Sequence, residues 1–463
     1  MNTLADIFGA NAPAVIVPGG RAVCHTELRE AIERASSGFE HGQPVAIVLG
    51  NSLEFLVTFL AVTRAGGIAA PLNPAYTEDE FHFYMQDLGC RQLVTAPDNV
   101  AARAAARRLN IPETTTAKRA ASDASRPDDV ALLLHTSGTT SRPKAVPLTH
   151  ANLMASVKSI VATYTLTPDD VALLVMPLFH VHGLIGVALA TLSSGGTLVV
   201  PPKFSASQFW SAQRETRATW YSAVPTIHQV LLQRADEDGA LRRSFRFIRS
   251  SSAALAPATQ RQLEDRFGAP ALQAYGMTEG AHQIASNPLP PGERVPGSVG
   301  HGTGVEITIG DGGEVLLRGP NVTAGYLRNP EANAAAFVDG WFRTGDQGVL
   351  DEKGRLKLTG RLKELINRGG EKISPLEVDA VLLQHPAVAE AVCFGAPDVK
   401  YGEVVHAAVV LKKDCDAETL RAFCREHLAE FKVPTRVHVT DHVPRTATGK
   451  IQRRHVAAVF QSR

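Results

Sequence analysis

The chain has 463 residues, of which 47 are Lys or Arg and 46 are Asp or Glu, and its net charge of +1 argues against a nucleic-acid binder. Its 44% apolar content predicts a globular protein, and its length predicts about two or three packed units. The five cysteines are scattered and lack metal-ligand spacing, which favours a reducing, cytoplasmic compartment. The N-terminus shows no signal-peptide pattern, and apolar runs such as residues 183–192 are too short to span a bilayer. We therefore expect neither nucleic acid nor a membrane among its partners.

Short apolar runs alternate with longer amphipathic ones along most of the chain. VAIVLG at residues 45–50 predicts a buried strand, and the next segment predicts a helix capped near Asn51 or Ser52 and ended by Gly66 and Gly67. Similar apolar runs follow as ALLLHT, VALLVM, TLVVPP, FRFIRS and ALQAYG. Strands separated by helices predict an α/β fold, with parallel or mixed sheets covered by helices.

Residues 97–128 interrupt this alternation with a segment rich in Ala, Arg and Thr. We interpret the segment as a solvated helix followed by a linker between subdomains. A site for an acidic partner, built on its basic residues, is the alternative.

The segment LLLHTSGTTSRPK, residues 132–144, is an apolar strand that runs into a loop of Ser, Thr and Gly. Small residues let backbone N–H groups turn toward an anion, the hydroxyls add donors, and Lys144 adds a positive charge. The loop lacks the Gly-x4-Gly-Lys spacing of a Walker A motif. We interpret it as a phosphate cradle, with an ordinary polar turn as the alternative.

The pattern changes to a short α+β one near residue 360, which predicts a domain at residues 1–359 and a smaller one at residues 360–463. Ser374, Pro375 and Glu377 have the spacing of a capping box with Pro at the first helical position, so a helix should begin there. Farther on, one helical face is apolar and is predicted to be core: Leu420, Phe423, Cys424 and Leu428.

Several motifs follow the loop in a fixed order: AYGMTEG at residues 274–280, WFRTGD at 341–346, GRLKELINRGGEKISP at 360–375 and PRTATGKIQRR near the C-terminus. Together with the loop they resemble the adenylate-forming superfamily of acyl-CoA synthetases, luciferase-like enzymes and adenylation domains. The resemblance covers essentially the whole chain. It implies a large N-terminal domain, a small mobile C-terminal domain, and an active site between them that uses ATP, Mg²⁺ and CoA.

The resemblance implies that the loop holds the β- and γ-phosphates of ATP. Thr278 would bond the α-phosphate. The phosphate-binding residues of the loop would be Thr136, Ser137, Gly138, Thr139, Thr140 and Lys144.

The other nucleotide contacts are also implied by resemblance. Asp346 would accept hydrogen bonds from both ribose hydroxyls, and Arg361 would add a ribose or phosphate contact. Glu279 would bind Mg²⁺ together with Thr140, because this hard cation prefers oxygen ligands. Tyr275 and Gly276 complete the ATP site.

Adenylation is an in-line attack on the α-phosphate, which requires positioning and charge neutralisation more than a protein nucleophile. By resemblance, Lys450 is the catalytic lysine that bridges the attacking carboxylate and the α-phosphate. Lys363 stands at the hinge, where the C-terminal domain would rotate after adenylation. Rotation would withdraw the lysine and present a CoA site at Gly369, Gly370 and Lys372.

Segments that line the acyl pocket of this superfamily contain several His and Ser residues here, which predicts a small, doubly charged acid. The amino-acid sequences of these segments also resemble those of the oxalate–CoA ligase branch. By position, Ser252 and His282 would bind the distal carboxylate, and His180 would contact or gate the substrate. Alternatively, His180 is only the usual gate of the superfamily. His228 is either a pocket residue or a core histidine.

The chain departs from the related patterns at a few positions. Ser251, Ala254 and Gly280 differ from the oxalate branch near the pocket. Ser141 replaces a usual glycine of the phosphate loop, as it does in that branch. Ala145 replaces a second glycine, which raises a question about turnover rather than about the reaction class.

We predict an ATP-dependent carboxylate–CoA ligase, a monomer or homodimer, with oxalate as the first candidate acid and another short or medium acid such as malonate as the alternative. A second interpretation is an adenylation enzyme that loads a carrier protein or forms an amide, although no carrier-like domain is attached. A third is a nucleotide sensor without turnover, which the presence of Lys450 and Glu279 disfavours.

Overall fold

The computed structural model describes residues 3–7, 12–114, 125–136, 143–235, 245–445 and 451–461. The first third contains β1 (Pro13–Ile16), β2 (Ala22–Cys24), α1 (His25–Ser36), β3 (Pro44–Val48), α2 (Leu53–Arg64), β4 (Ile68–Pro71), α3 (Glu78–Leu88), β5 (Gln92–Thr95), α4 (Val100–Arg108), β6 (Val130–Thr136) and β7 (Lys144–Thr149).

The middle third contains α5 (His150–Tyr164), β8 (Val171–Leu174), α6 (Val181–Gly183), a π-helical turn (Leu184–Leu189), α7 (Ala190–Ser193), β9 (Thr197–Val199), α8 (Ala206–Thr216), β10 (Trp220–Ala223), α9 (Pro225–Gln233), β11 (Phe247–Ser250), α10 (Pro257–Phe267), β12 (Ala271–Met277) and β13 (His282–Ser286).

The last third contains β14 (His301–Gly302), β15 (Glu306–Ile309), β16 (Glu314–Arg318), α11 (Pro330–Ala336), β17 (Phe337–Val338), β18 (Trp341–Leu350), β19 (Leu356–Arg361), β20 (Ile366–Arg368), β21 (Glu371–Ile373), α12 (Pro375–Leu382), β22 (Val388–Asp398), β23 (Gly402–Leu411), α13 (Ala417–His427), β24 (Arg436–Val439) and α14 (Arg453–Gln461).

The predicted α/β class is confirmed, with a large N-terminal domain of several sheets and a smaller C-terminal domain. Nine of the described strands form one sheet in the order β14–β13–β12–β11–β10–β8–β9–β1–β2. Its centre, from β12 to β1, is parallel, and the strands at both ends are antiparallel. A second sheet has the order β5–β3–β4–β6–β7 and is parallel except for β7. Mainly parallel sheets of this kind explain the continuous apolar strands of the sequence.

Two more sheets follow in sequence. Strands β15–β16–β18–β17, with β19 on β18, form an antiparallel sheet that completes the N-terminal domain. Strands β21–β20–β23–β22, with β24 beside β23, form the sheet of the C-terminal domain. The chain passes from the third sheet to the fourth through a single 3₁₀ turn, Leu362–Glu364.

The predicted strand at residues 45–50 is β3, and the predicted helix after it is α2. The Ser52 hydroxyl caps α2 by accepting a hydrogen bond from the Phe55 amide. In the C-terminal domain, Leu420 and Cys424 of α13 are fully buried, and Phe423 and Leu428 are packed against the same core. The predicted apolar face of that helix is therefore confirmed.

The interpretation of residues 97–128 as a solvated helix is wrong for α4. Ala102, Ala105 and Ala106 are buried in a core shared with α3 and the second sheet. Their spacing places three small side chains on one helical face, and the arginines lie on the opposite one. Residues 115–124, the predicted linker, lie outside the described residues.

Helix α12 begins at Pro375 as predicted, but the capping box does not form. The Ser374 hydroxyl instead donates to the Thr359 carbonyl, and its side chain makes no cap hydrogen bond. Glu377 forms an ion pair with Lys432 at 2.7 Å. Both side chains are therefore bonded to residues distant in sequence, and neither caps the helix.

Within the described ranges, none of the helices combines the length and the apolar character needed to cross a membrane.

Candidate active site

A cavity of about 790 Å³ lies where the carboxyl ends of parallel strands meet the start of the C-terminal domain. Residues at the end of β6 and residues shortly after β8, β10, β11 and β12 contribute to its wall. Open α/β sheets bind their ligands at this edge. The cavity brings together ten of the predicted site residues: Thr136, Lys144, His180, Ser252, Gly276, Thr278, Glu279, His282, Arg361 and Lys363.

The predicted phosphate loop connects two antiparallel strands at the cavity. Thr136 at the end of β6 pairs with Lys144 at the start of β7, and both line the cavity. The residues between them that we predicted to bind phosphate, Ser137, Gly138, Thr139 and Thr140, lie outside the described residues.

Ala145 has a regular strand environment. It is buried in β7 opposite His135, and its carbonyl accepts a hydrogen bond from the Leu327 amide. A strand at this point accommodates a Cβ, which explains why alanine can stand where related loops have glycine.

Tyr326 links two of the predicted site residues. Its hydroxyl donates to a Glu279 carboxylate oxygen at 3.0 Å, and the Lys144 ammonium lies 4.5 Å from its ring centre. Burial raises the pKa of the Glu279 carboxyl, although the Tyr326 bond acts in the opposite direction. Tyr326 thus contacts a cation through its ring and a buried carboxylate through its hydroxyl.

Glu279 offers the chemistry that a magnesium ion needs from the protein. Mg²⁺ in nucleotide sites takes one or two carboxylates and completes its shell with phosphate oxygens and water. Among the described residues, no group of three or more His, Cys, Asp or Glu could hold a metal by itself. Glu279, a single buried carboxylate in the cavity wall, therefore fits a magnesium ion that takes its other ligands from phosphate and water.

Asp346 is held from two sides. Its two carboxylate oxygens accept hydrogen bonds from the Tyr275 hydroxyl at 2.5 Å and from Arg361 Nε at 2.6 Å. The Asp346 charge raises the pKa of Arg361, and burial next to that charge raises the pKa of Tyr275 well above its usual range. Each carboxylate oxygen keeps a second lone pair, so the carboxylate remains able to accept from two hydroxyls.

The turn between β12 and β13 shapes the wall around Thr278 and Glu279. A side chain at Gly276 would place its Cβ 1.9 Å from the His282 carbonyl oxygen, so the hairpin closes only with glycine there. Ala281 and His282 have φ values of 46° and 85°, in the left-handed region. Such strain in non-glycine residues persists where surrounding structure enforces it, often at functional sites.

The other end of the cavity carries a cluster of imidazoles and hydroxyls. The His182 ring is stacked on the His282 ring with centroids 5.1 Å apart. His182 is hydrogen-bonded through Nδ1 to the Ser252 hydroxyl at 3.0 Å and through Nε2 to the Ser222 hydroxyl at 2.7 Å. Ser252, at φ 70°, is a second strained residue of the cavity wall.

The two histidines with alternative interpretations, His180 and His228, differ in their position relative to the cavity. His180 lines the cavity, next to Phe179 and Val181. His228 is fully buried, accepts or donates a bond at 3.1 Å with the Tyr221 hydroxyl, and is absent from the wall of this cavity. It is therefore a core histidine.

The residues predicted for CoA lie away from the cavity. Gly369 and Gly370 form the two-residue turn between β20 and β21, with φ values of 60° and 98°. Positive φ at both positions suits a tight hairpin turn and favours glycine. Lys372 follows in β21, whereas Lys450 lies outside the described residues.

Sequence reasoning missed Tyr326, Ser222 and the link from Tyr275 to Asp346, and it counted His182 among the pocket histidines without giving it a role. The partners of these bonds are up to 71 residues apart in sequence. Their only local signal is a polar residue within an apolar run, such as Ser222 in WYSAV.

Comparisons with known proteins identify the family. The family of the AMP-binding enzyme matches residues 5–327, and that of the AMP-binding enzyme C-terminal domain matches residues 377–450. An oxalate–CoA ligase of Arabidopsis thaliana is 49% identical over 489 residues, covering 96% of this chain and 95% of that protein. An oxalate–CoA ligase of Saccharomyces cerevisiae is 46% identical over 471 residues, covering 90% and 86%.

Among solved structures, ATP-bound MatB from Rhodopseudomonas palustris superposes with a TM-score of 0.91 at 31% identity, covering 99% of both chains. Family, relatives and structure thus coincide over nearly the full length. The chain belongs to the AMP-binding enzyme family.

Proposed function

We propose that the chain is an AMP-forming acid–CoA ligase that adenylates oxalate with ATP and Mg²⁺ and transfers the oxalyl group to CoA. One observation carries the proposal: the wall of a single cavity contains Lys144, Thr278, Glu279 and Arg361 together with the imidazoles and the hydroxyl of His180, His282 and Ser252. The relatives named oxalate–CoA ligase support the same acid.

The nucleotide end of the cavity has a role for each charged group. Lys144 binds the outer phosphates, Thr278 bonds the α-phosphate, and the Asp346 carboxylate accepts from the ribose hydroxyls. Glu279 holds the magnesium ion, which neutralises phosphate charge when bound. Arg361 holds Asp346 in place and faces the nucleotide.

Adenylation needs one carboxylate oxygen of the acid in line with the α-phosphate. That oxygen forms a bond to the α-phosphorus while the bond to the β-phosphate oxygen breaks, and pyrophosphate leaves. Lys450 neutralises the charge that develops between carboxylate and phosphate. In the second step the CoA sulfur bonds to the acyl carbon, and AMP leaves with the carboxylate oxygen.

The two steps use different surfaces, so we propose that the C-terminal domain, residues 360–463, rotates about Lys363 between them. Lys363 lies in the 3₁₀ turn that joins the third sheet to the C-terminal sheet, and it lines the cavity. The hairpin of Gly369, Gly370 and Lys372 is away from the cavity in this arrangement, as a CoA site would be during adenylation. The five cysteines are all free, which supports a reducing, cytoplasmic location.

The acyl end suits a short acid with a second carboxylate. Burial holds the pKa values of His182 and His282 well below their usual range, so both rings are neutral and each carries one N–H donor. His282 Nε2 is buried and has no hydrogen-bond partner within the described part of the chain. Ser252 and His282 bind the distal carboxylate, and His180 closes the substrate into the site.

A substrate panel tests the proposed function. Pyrophosphate release is measured with ATP, Mg²⁺ and CoA for oxalate, malonate, glycolate and acetate, and the thioester is identified by mass. We expect the highest kcat/KM for oxalate. Preference for a one-carboxylate acid, or transfer to a phosphopantetheinyl carrier protein in preference to CoA, would contradict the proposal.

His282→Asn is expected to raise the KM for oxalate about tenfold, because one hydrogen bond to a charged group is lost. Asparagine tolerates the left-handed backbone of this position better than alanine. The exposed His301→Asn variant is the matched control and should behave like the wild type. An unchanged KM in His282→Asn would remove His282 from the acyl site.

Tyr326→Phe is expected to raise the KM for MgATP about fivefold while keeping the fold, because it removes only the hydroxyl bonded to Glu279. Tyr326→Leu also removes the ring beside Lys144 and should cost a further factor of about three. Steady-state kinetics at saturating acid and CoA measure both. Equal effects in the two variants would mean that the hydroxyl alone matters.

A further inference from the structure

Arg249 is a fully buried cation in the middle of the largest sheet. Its guanidinium donates to three neutral acceptors: the Tyr164 hydroxyl at 2.8 Å, the Ser222 hydroxyl at 3.0 Å and the Gln283 amide oxygen at 3.1 Å. None of the ion pairs among the described residues includes it, whereas Arg246 on the same segment is paired with Asp170. A buried charge without an opposite charge is expensive, which suggests that the sheet keeps Arg249 for a purpose other than stability.

Arg249 is connected to the acyl pocket by an unbroken series of hydrogen bonds. Ser222 on β10 is the register partner of Arg249 on β11, and its hydroxyl lies 2.7 Å from His182 Nε2. On the opposite side of the ring, His182 Nδ1 lies 3.0 Å from the hydroxyl of Ser252, which lines the cavity. Arg249 itself is absent from the cavity wall.

The donor and acceptor properties of these groups determine which one donates in each hydrogen bond of the series. Arginine can only donate, so Ser222 accepts from Arg249, and its own proton then goes to His182 Nε2. If Nε2 carried the proton, the Ser222 hydroxyl would have no acceptor among the described residues. His182 is therefore protonated at Nδ1, where it donates to Ser252. The Ser252 proton remains available to a ligand in the cavity.

A neutral His182 is required for this direction, since a doubly protonated ring would donate at both nitrogens. Burial lowers the pKa of His182 well below its usual range, and the nearby charge of Arg249 lowers it further, with smaller contributions from His180 and His228. The same two main causes lower the pKa of His282. Burial, with the Arg249 charge as the second cause, thus keeps both stacked rings in the neutral form.

We propose that Arg249 is a specificity-determining positioning residue: through Ser222 and His182 it turns the Ser252 hydroxyl into a donor toward the distal carboxylate, and its unpaired charge favours a dianionic acid over a monoanionic one. The inference rests on the proposed function. It adds to that function the reason why an acyl pocket whose described wall residues include His180, Ser252 and His282 selects a second negative charge.

The test is a ratio of two substrates in one enzyme. For the full-length wild type and for Arg249→Met, kcat/KM is measured with oxalate and with glycolate, which has a hydroxymethyl group in place of the second carboxylate. We expect the oxalate-to-glycolate ratio to fall about 30-fold in Arg249→Met, mainly through the KM for oxalate, while glycolate changes less than about threefold. Arg249→Lys keeps the charge and should recover most of the ratio.

Arg246→Met is the matched control for loss of a strand arginine. It removes the bond to buried Asp170, so it should lower the melting temperature yet leave the substrate ratio unchanged. If Arg249→Met reduces oxalate and glycolate turnover equally, the inference is wrong and the proposed function stands. If wild-type enzyme does not prefer oxalate to glycolate, the proposed function itself fails.

Two further measurements apply if Arg249→Met does not fold. Ser222→Ala changes little volume, keeps the charge and interrupts the series of bonds, so the oxalate KM should rise about tenfold with kcat nearly unchanged. The ¹⁵N spectrum of the histidine-labelled wild type, assigned with His182→Asn, should show His182 protonated at Nδ1 and bare at Nε2. A proton on Nε2 in that spectrum, or an unchanged oxalate KM in Ser222→Ala, overturns the inference.

Discussion

Lys450→Ala is expected to slow adenylation by about 10²- to 10³-fold, because a cation aimed at developing negative charge contributes several kcal/mol to the transition state. The thioester step from a supplied acyl-adenylate should change less than about threefold, since the lysine acts only before AMP leaves. Rapid-quench measurement of pyrophosphate and of acyl-CoA separates the two steps. Lys413→Ala, at an exposed position of the same domain, is the control.

The residues on both sides of Lys450 support its role. Arg445 and Ile451 are bridge partners, and Gln452 lines the same cavity as Thr278 and Arg361. The segment that carries Lys450 is thus bounded by residues that lie at or near the site. Equal slowing of both half-reactions in Lys450→Ala would show that the substitution disturbs the C-terminal domain as a whole.

The exit of the predicted hinge is bonded to helix α14, which follows the Lys450 segment in sequence. Arg453, at the start of α14, donates to Glu364 at 3.1 Å and to buried Asp379 at 2.6 Å. Glu364 directly follows the predicted hinge residue Lys363, so α14 and the exit of the hinge belong to one rigid unit. A rotation at Lys363 would therefore move the Lys450 segment with the rest of the C-terminal domain.

Local sequence patterns predicted most of the fold because its strands are buried on both faces. Runs such as those at β3 and β11 are apolar enough to be recognised without knowledge of their neighbours. Glu279 and Asp346 could be proposed as site residues because the motifs that contain them are contiguous in sequence. The errors came where tertiary contacts decide: Ser374 bonds to Thr359 instead of its helix, and the α4 alanines form part of a core.

The acyl end of the site was only half predictable. His282 and Ser252 stand in segments that line the pocket, and their donors could be expected. The sequence alone could not assign a role to Arg249, because it is one of several arginines near the end of an apolar strand. Only the pairing of β10 with β11, which places Ser222 beside it, gives Arg249 a route to the cavity.

Glu279→Gln is expected to reduce kcat/KM for MgATP about 10²-fold, because it removes the buried carboxylate that would hold the ion while leaving the shape and the bond from Tyr326. Activity is measured over a range of Mg²⁺ concentrations. The matched control is Glu80→Gln, which removes a carboxylate from the exposed rim of the same cavity and keeps a capping residue for α3.

The thermal stability of ligand-free Glu279→Gln should rise, although its activity falls. Burial raises the pKa of Glu279 in the folded chain, so the charged form destabilises the ligand-free protein. For a carboxyl with a raised folded-state pKa, this cost is absent below the ordinary pKa and grows as the pH rises. Glutamine removes it, so ligand-free Glu279→Gln should melt at a higher temperature than wild type at pH 8 and with little difference at acidic pH.

Binding of MgATP should reverse the order of the two melting temperatures, because its magnesium ion supplies the positive charge that Glu279 lacks in the free protein. Saturating MgATP should raise the melting temperature of wild type by more than that of Glu279→Gln. Loss of both activity and ligand-free stability would instead mean that Glu279 is a structural residue held by Tyr326. Higher stability with lower activity is the signature of a carboxylate kept for its ligand at a cost to the fold.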